Sequence, residues 1–201
     1  MVYRRVIKWP KSSLNVSSRE VDLEKDSQII ADLLDTFKVI GGYGLSAPQI
    51  GANVKVIVIN EKLLNKDEAS SDTLLMVNPK VLEKKGTETF KEACFSLPGI
   101  SLDVLRSKEV MVEWLDSEGN KKSKWFKNYS SACVQHEIDH LNGILTIDKL
   151  SQLRKSRLIK KIKKAKSEDF SVESSTKEEM SKIKSLRTRK KKRSIRKAKK
   201  K

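Results

Sequence analysis

YSSACVQHEIDHLNG, Tyr129–Gly143, is the stretch on which the reading of this chain turns. Its apolar residues recur at helical spacing and Gly143 closes the run, which predicts a helix. On that helix His136 and His140 stand at i and i+4. Both imidazoles then leave one face a single turn apart, the spacing that two ligands of one metal need. They are the only two histidines in the chain, and Glu137 lies where the water of such a metal would sit. The competing reading is a helix with two ordinary histidines; the adjacent Glu137 and the absence of any other histidine weigh against it.

The third ligand stays open at this level, with Cys94, Cys133 and nearby carboxylates as candidates. Cys133 precedes His136 by three residues on the same helical face, although its plainer role is that of a small buried apolar side chain. Cys94 lies in KEACFSLPGI, which has strand character that Pro98 and Gly99 are expected to end. A thiolate from a strand meeting two imidazoles from a helix makes a three-ligand site with an open fourth position, the hydrolytic arrangement.

C-terminal to this helix, Lys149–Lys166 repeats the helical spacing with Leu150, Leu153, Leu158, Ile159 and Ile162 on a basic background, predicting a basic amphipathic helix. From Ser167 the chain is acidic and serine-rich, then turns into KKKRSIRKAKKK, whose composition predicts disorder when alone. N-terminal to it, Glu109–Leu115 and Lys121–Lys127 flank the turn Asp116–Asn120 and predict a hairpin. VKVIVIN, Val54–Asn60, reads as a strand, followed by a polar loop over Asn65–Asp72 and a second strand over Leu74–Leu82. Pro79 should make that second strand an edge, or split it. Ser17–Ile40 reads as an amphipathic helix stopped by Gly41 and Gly42, and Gly41–Gly51 as a loop running close to another part of the chain.

The 201 residues carry 43 basic and 26 acidic side chains, a net of +17, and the excess lies at one end. Met1–Asp148 holds 20 Lys and Arg against 21 Asp and Glu, whereas Lys149–Lys201 holds 23 against 5, a net of +18. The organisation expected is therefore a catalytic domain over residues 1–148, a basic helix over 149–166 and a basic tail over 167–201. No apolar run approaches the ~18 residues that cross a bilayer, so no membrane partner is expected. Two cysteines cannot staple a chain of this length, and a reducing, cytoplasmic setting follows; the start MVYRRVIKWPKSS lacks the apolar core of a secretory signal.

GYGLSAPQ (Gly42–Gln49), EACFS (Glu92–Ser96) and QHEIDHL (Gln135–Leu141), in this order and spacing, resemble the three signature motifs of the peptide deformylases, GxGLAAPQ, EGCLS and QHExDHL. The resemblance spans roughly Val6 to Lys166. It implies an α+β fold in which antiparallel strands pack around a central helix carrying HExxH. It further implies that Cys94, His136 and His140 hold one divalent metal ion, Fe2+ in the cell and replaceable by Zn2+, Ni2+ or Co2+. Glu137 would be the general base and acid, and Gln49 and the backbone N–H of Phe95 would hold the developing oxyanion. Gly42, Tyr43, Gly44, Ala93, Tyr129, Ala132 and Cys133 would border the substrate, with Gly44 admitting the peptide backbone as an added strand. The activity implied is hydrolysis of the N-formyl group from formyl-Met nascent peptides, releasing formate. The partner implied for the basic C-terminal region is the ribosome and its rRNA.

Four departures from the family pattern matter. Ala93 replaces a glycine, Ser46 an alanine and Phe95 a leucine; Ser101 stands where many relatives have an arginine lining the cleft, which bears on substrate preference. Two other readings compete. A zincin-type metallopeptidase also uses HExxH but needs neither GYGLSAPQ nor a cysteine ligand. A catalytically inactive deformylase-like protein acting as a ribosome- or RNA-binding module is at odds with the joint presence of Gln49, Cys94, His136, Glu137 and His140.

Overall fold

The computed structural model describes residues 2–64 and 73–162. The predicted loop Asn65–Asp72, the end of the basic helix and the tail from Ser167 lie outside the described residues. VKVIVIN forms the middle of the fold. Its strand β2 (Val56–Ile59) is buried at every position because both of its faces are covered. Val56 and Val58 pack with Ile30, Leu33 and Phe37 of helix α1 (Ser27–Ile40). Ile57 and Ile59 pack on the other side with Val134 and Leu141 of a second long helix, at Asn128–Leu141.

Helix α1 begins ten residues later than the amphipathic pattern suggests, because Asp26 is held by Arg19 through two hydrogen bonds of 2.7 Å, so that the preceding segment turns instead of coiling. It stops at Gly41 as expected. The next segment is more ordered than a loop. Gly44–Ser46 forms strand β1, antiparallel to β2, and Ala47–Ile50 a turn of 3-10 helix.

After β2 come the short helix α2 (Glu61–Leu64), β3 (Leu74–Lys85), β4 (Glu88–Cys94), β5 (Leu97–Arg106), β6 (Glu109–Leu115) and β7 (Lys121–Lys127). The sheet order is β1-β2-β3-β6-β7, with β4 and β5 as a separate two-stranded ribbon, and the register is antiparallel throughout. The hairpin of β6 and β7 falls where the sequence places it. The edge-strand expectation for Pro79 is corrected: β3 lies between β2 and β6. Pro79 is accommodated because its pairing with β2 ends at Val77 and that with β6 shifts register between Val77 and Lys80, so the ladder asks for no N–H there. The expected end at Pro98 and Gly99 is corrected in the same way. Leu97 pairs with Cys94 and Ser101 with Ala93, so Pro98 and Gly99 lie in a bulge inside β5.

Helix α3 (Asn128–Leu141) lies against β1, β2 and β7, the helix in the middle of antiparallel strands that the α+β reading requires. The compact body runs to Leu150. Residues 152–162 form a further helix, α4, carrying Arg154, Lys155, Arg157, Lys160 and Lys161. No described helix is long and apolar enough to cross a membrane.

Candidate active site and metal centre

Helix α3 delivers His136 and His140 from one face, and the last residue of β4 delivers Cys94 to meet them. One ligand atom from each of the three lies within 4.8 Å of the others, and all three residues are buried. Cys94 Sγ is 3.2 Å from His140 Nε2. Tertiary structure thus chooses between the two cysteines: Cys133 Sγ instead donates to the Tyr43 carbonyl at 3.4 Å, and burial raises its pKa well above the ordinary thiol value.

The donor set fits a divalent metal, for two reasons. His140 is 1% exposed and turns its Nε2 to Cys94 Sγ, while burial holds the ring well below its usual pKa, in the neutral form a metal requires. His136 lies between two acceptors. Burial lowers its pKa and hydrogen bonds to Cys94 and Glu92 raise it; with Nδ1 taken up by Glu92, the other ring nitrogen is the one left for a metal.

Around this group stands a shell of which the motifs give little sign. His136 Nδ1 is 2.8 Å from Glu92 Oε2. Arg106 grips the same carboxylate through Nε at 2.7 Å and a terminal nitrogen at 3.0 Å, and donates also to Asp139. Lys149 Nζ completes the chain at 3.0 Å from Asp139. Glu92 opens the motif EACFS and stands two residues before Cys94 on the inner face of β4, a charge where the alternation calls for an apolar residue. That misplaced charge is the signal that could have marked it.

Glu137 is 4% exposed, its Oε2 has no partner, and burial pushes its carboxyl up to about 7. Gly44 makes room for it: a Cβ there would come within 2.7 Å of Glu137 Oε1 and 3.1 Å of Cys133 Sγ. Gln49 Oε1 accepts from both the amide and the hydroxyl of Ser46 at 3.0 Å, which turns its Nε2 toward Cys94 Sγ at 3.5 Å. Gly42 has φ of +96°, and its missing side chain is covered by the Phe95 ring, 2.7 Å from where a Cβ would stand.

Gly42, Gly44, Gln49, Cys94, His136 and Glu137 line one cleft of about 1150 Å³. Among the described residues, β1 is an edge strand of the large sheet and β4 pairs only with β5, so each leaves an unpaired edge, and residues of both strands line the cleft. Every substrate-bordering residue expected from the motifs, Gly42, Tyr43, Gly44, Ala93, Tyr129, Ala132 and Cys133, is on its wall. His140 is not; it lies beneath. Tyr43 and Tyr129 are 61% and 60% exposed at its mouth, and Tyr129 meets Phe90 edge-on at 5.3 Å.

Residues 3–156 match the family model described as polypeptide deformylase. A peptide deformylase of Methylocella silvestris is 36% identical over 169 residues, covering 82% of this chain and 86% of that protein. Among solved structures, a peptide deformylase from Legionella pneumophila matches with a TM-score of 0.72 at 32% identity, over 84% of this chain and 98% of that one. One from Ehrlichia chaffeensis in complex with actinonin matches with a TM-score of 0.73 at 28% identity, over 82% and 98%.

Proposed function

Because the chain belongs to the peptide deformylase family, we propose a division of labour among its own residues for the reaction it catalyses, hydrolysis of the formyl group from N-terminal formylmethionine. Cys94, His136 and His140 hold a divalent metal. When bound there, the metal supplies Lewis acidity that activates water near neutral pH. Glu137 takes up the proton released in the attack on the formyl carbon and returns it to the leaving amine. Gln49 Nε2 and the Phe95 N–H stabilise the negative charge that grows on the formyl oxygen, where loss of one donor typically costs ~3 kcal/mol of barrier. The unpaired edges of β1 and β4 bind the peptide backbone as an intervening strand, with Tyr43, Tyr129, Ala132 and Cys133 around the methionine side chain.

One observation carries this reading. The buried, unpartnered carboxylate oxygen of Glu137 belongs to the cleft that Cys94 and His136 line, and Glu137 is not part of the Cys94, His136 and His140 group, which supports a base that is not spent as a ligand. The test is formate release from formyl-Met-Ala-Ser by metal-loaded protein. Failure of every metal form to release formate would refute it.

The metal we propose is Fe2+, with Zn2+, Ni2+ and Co2+ able to replace it. A thiolate-bound ferrous centre is open to oxidation, so iron-loaded protein should lose activity in air faster than nickel-loaded protein, and anaerobic purification should yield iron. The setting we propose is the cytoplasm, where both cysteines stay reduced.

For the C-terminal region, from Lys149 through the tail, we propose docking on rRNA at the ribosome. The support is the net +18 beyond Asp148 and the five basic residues of helix α4. We keep the catalytic domain over residues 1–148, and because the compact body runs to Leu150 and Lys149 pairs with Asp139 beside the site, the cut that tests the docking role is made after Leu150. Truncation after Leu150 should therefore preserve hydrolysis of short peptides and abolish ribosome co-sedimentation at low salt. Unchanged co-sedimentation would refute the docking role.

A further inference from the structure

The cleft wall includes four charged side chains besides the histidine ligand: Lys8, Lys91, Glu92 and Glu137. The two carboxylates are buried, Glu92 under Arg106 and His136, and Glu137 behind Gly44. The two lysines are exposed. Among the described residues, the solvent-facing charge of the cleft is therefore entirely positive. Ser101, also on the wall, adds none and turns its hydroxyl to the Glu92 carbonyl at 3.2 Å.

Both cations stand on fixed backbone. Lys8 lies between Ile7, whose N–H donates to the Gln49 carbonyl at 2.7 Å, and Trp9, whose N–H donates to the Ser96 carbonyl at 2.9 Å. Its ammonium donates to the Phe95 carbonyl. The segment is tied to both loops that flank the reacting centre, and the ammonium is held at the mouth instead of being free to swing away. Lys91 stands on β4 three residues before Cys94, about 10 Å along an extended strand. Its cross-strand neighbour Asp103 is not on the cleft wall.

We infer that Lys8 and Lys91 make the cleft select for formylated chains with acidic side chains in the first residues after methionine, and against basic ones. A peptide bound along β4 with its formyl end at Cys94 brings its next residues within reach of these ammonium groups. The interaction is between solvated charges, so it acts on capture of the peptide and is screened by salt. The inference rests on the deformylase reading of the cleft.

The test is kcat/KM of the full-length, nickel-loaded protein on formyl-Met-X-X amides with X as Asp, Ser or Lys, at 20 mM and 500 mM salt. At low salt the Asp peptide should exceed the Lys peptide by about three- to tenfold, and high salt should cut the ratio to below about twofold. Lys91→Glu should bring the Asp-to-Lys ratio to one or below. Lys8→Gln should lower it partway; since Lys8 also ties down Phe95, the ratio and not the absolute rate is the readout. An Asp-to-Lys ratio near one in the unaltered protein, or a ratio that neither variant moves, would overturn the inference. Absence of turnover on the Ser peptide would instead overturn the reading of the cleft on which it rests.

Discussion

Glu92 Oε2 lies 2.8 Å from His136 Nδ1, both side chains being less than a tenth exposed. This contact settles which nitrogen of His136 is left to face Cys94 and His140, because the Nδ1 side is engaged by the carboxylate. Arg106 in turn fixes Glu92 through two of its nitrogens. Glu92→Gln should therefore weaken metal affinity by about ten- to a hundredfold without unfolding the protein, as read by competition with a chelator. Arg106→Ala removes the cation paired with the buried carboxylate, leaving it only the His136 contact, and should cost about 3 kcal/mol in denaturant unfolding.

Glu137→Ala should reduce formate release to background while leaving metal content unchanged. Glu137 belongs to no ligand pair and its Oε2 is unpartnered. A near-normal kcat in this variant would show that another group moves the proton.

The two cysteines should separate cleanly. Cys94→Ser should strip or greatly weaken bound metal, because Cys94 Sγ stands 3.2 Å from His140 Nε2. Cys133→Ser should keep a full complement of metal and show a modest loss of stability, since its thiol only meets the Tyr43 carbonyl. Metal analysis of the two purified variants, alongside their melting temperatures, checks both statements.

Gly44→Ala drives a methyl group to within 2.7 Å of Glu137 Oε1. Either the carboxylate or β1 must shift, and kcat should fall at least tenfold, since catalysis is sensitive to misplacement of about an ångström. The metal should remain bound. The same variant with full activity would mean that the Glu137 side chain can occupy another position without loss.

Acid should destabilise the fold through Asp26. Arg19, hydrogen-bonded to its side chain, lowers its pKa below the ordinary 3.8. A carboxylate whose pKa is lowered on folding contributes stability that is present above the unfolded value and is lost as pH falls through the folded one. Unfolding midpoints should thus drop from roughly pH 4 downward, and Arg19→Ala should flatten that part of the curve.

What could be read from sequence was local. His136 and His140 share a face because a helix repeats every 3.6 residues, and QHEIDHL needs no distant partner to bring its imidazoles together. The strand in VKVIVIN, the hairpin of β6 and β7, and the stop at Gly41 are equally local, each following from side-chain alternation or from a turn residue. The motif resemblance added the α+β class and the expected ligand set.

Long-range pairing decided the rest. Cys94 is more than forty residues from His136, so only the placement of β4 beside α3 distinguishes it from Cys133, which is nearer in sequence and on the ligand helix. Pro79 and Pro98 read as edges or ends because proline lacks an N–H; they sit inside strands because register shifts in the neighbouring ladders remove the demand for one. Arg106 looks like an ordinary surface charge in a chain that is 34% charged, and it forms a buried network with Glu92 and Asp139 only when β4, β5 and α3 converge. By itself, then, the sequence determined the helix, its two histidines and the adjacent carboxylate, because those depend on neighbours within one turn. Tertiary structure decided which cysteine meets the two histidines, the charges behind them and the shape of the cleft, because those depend on which strands end beside the helix.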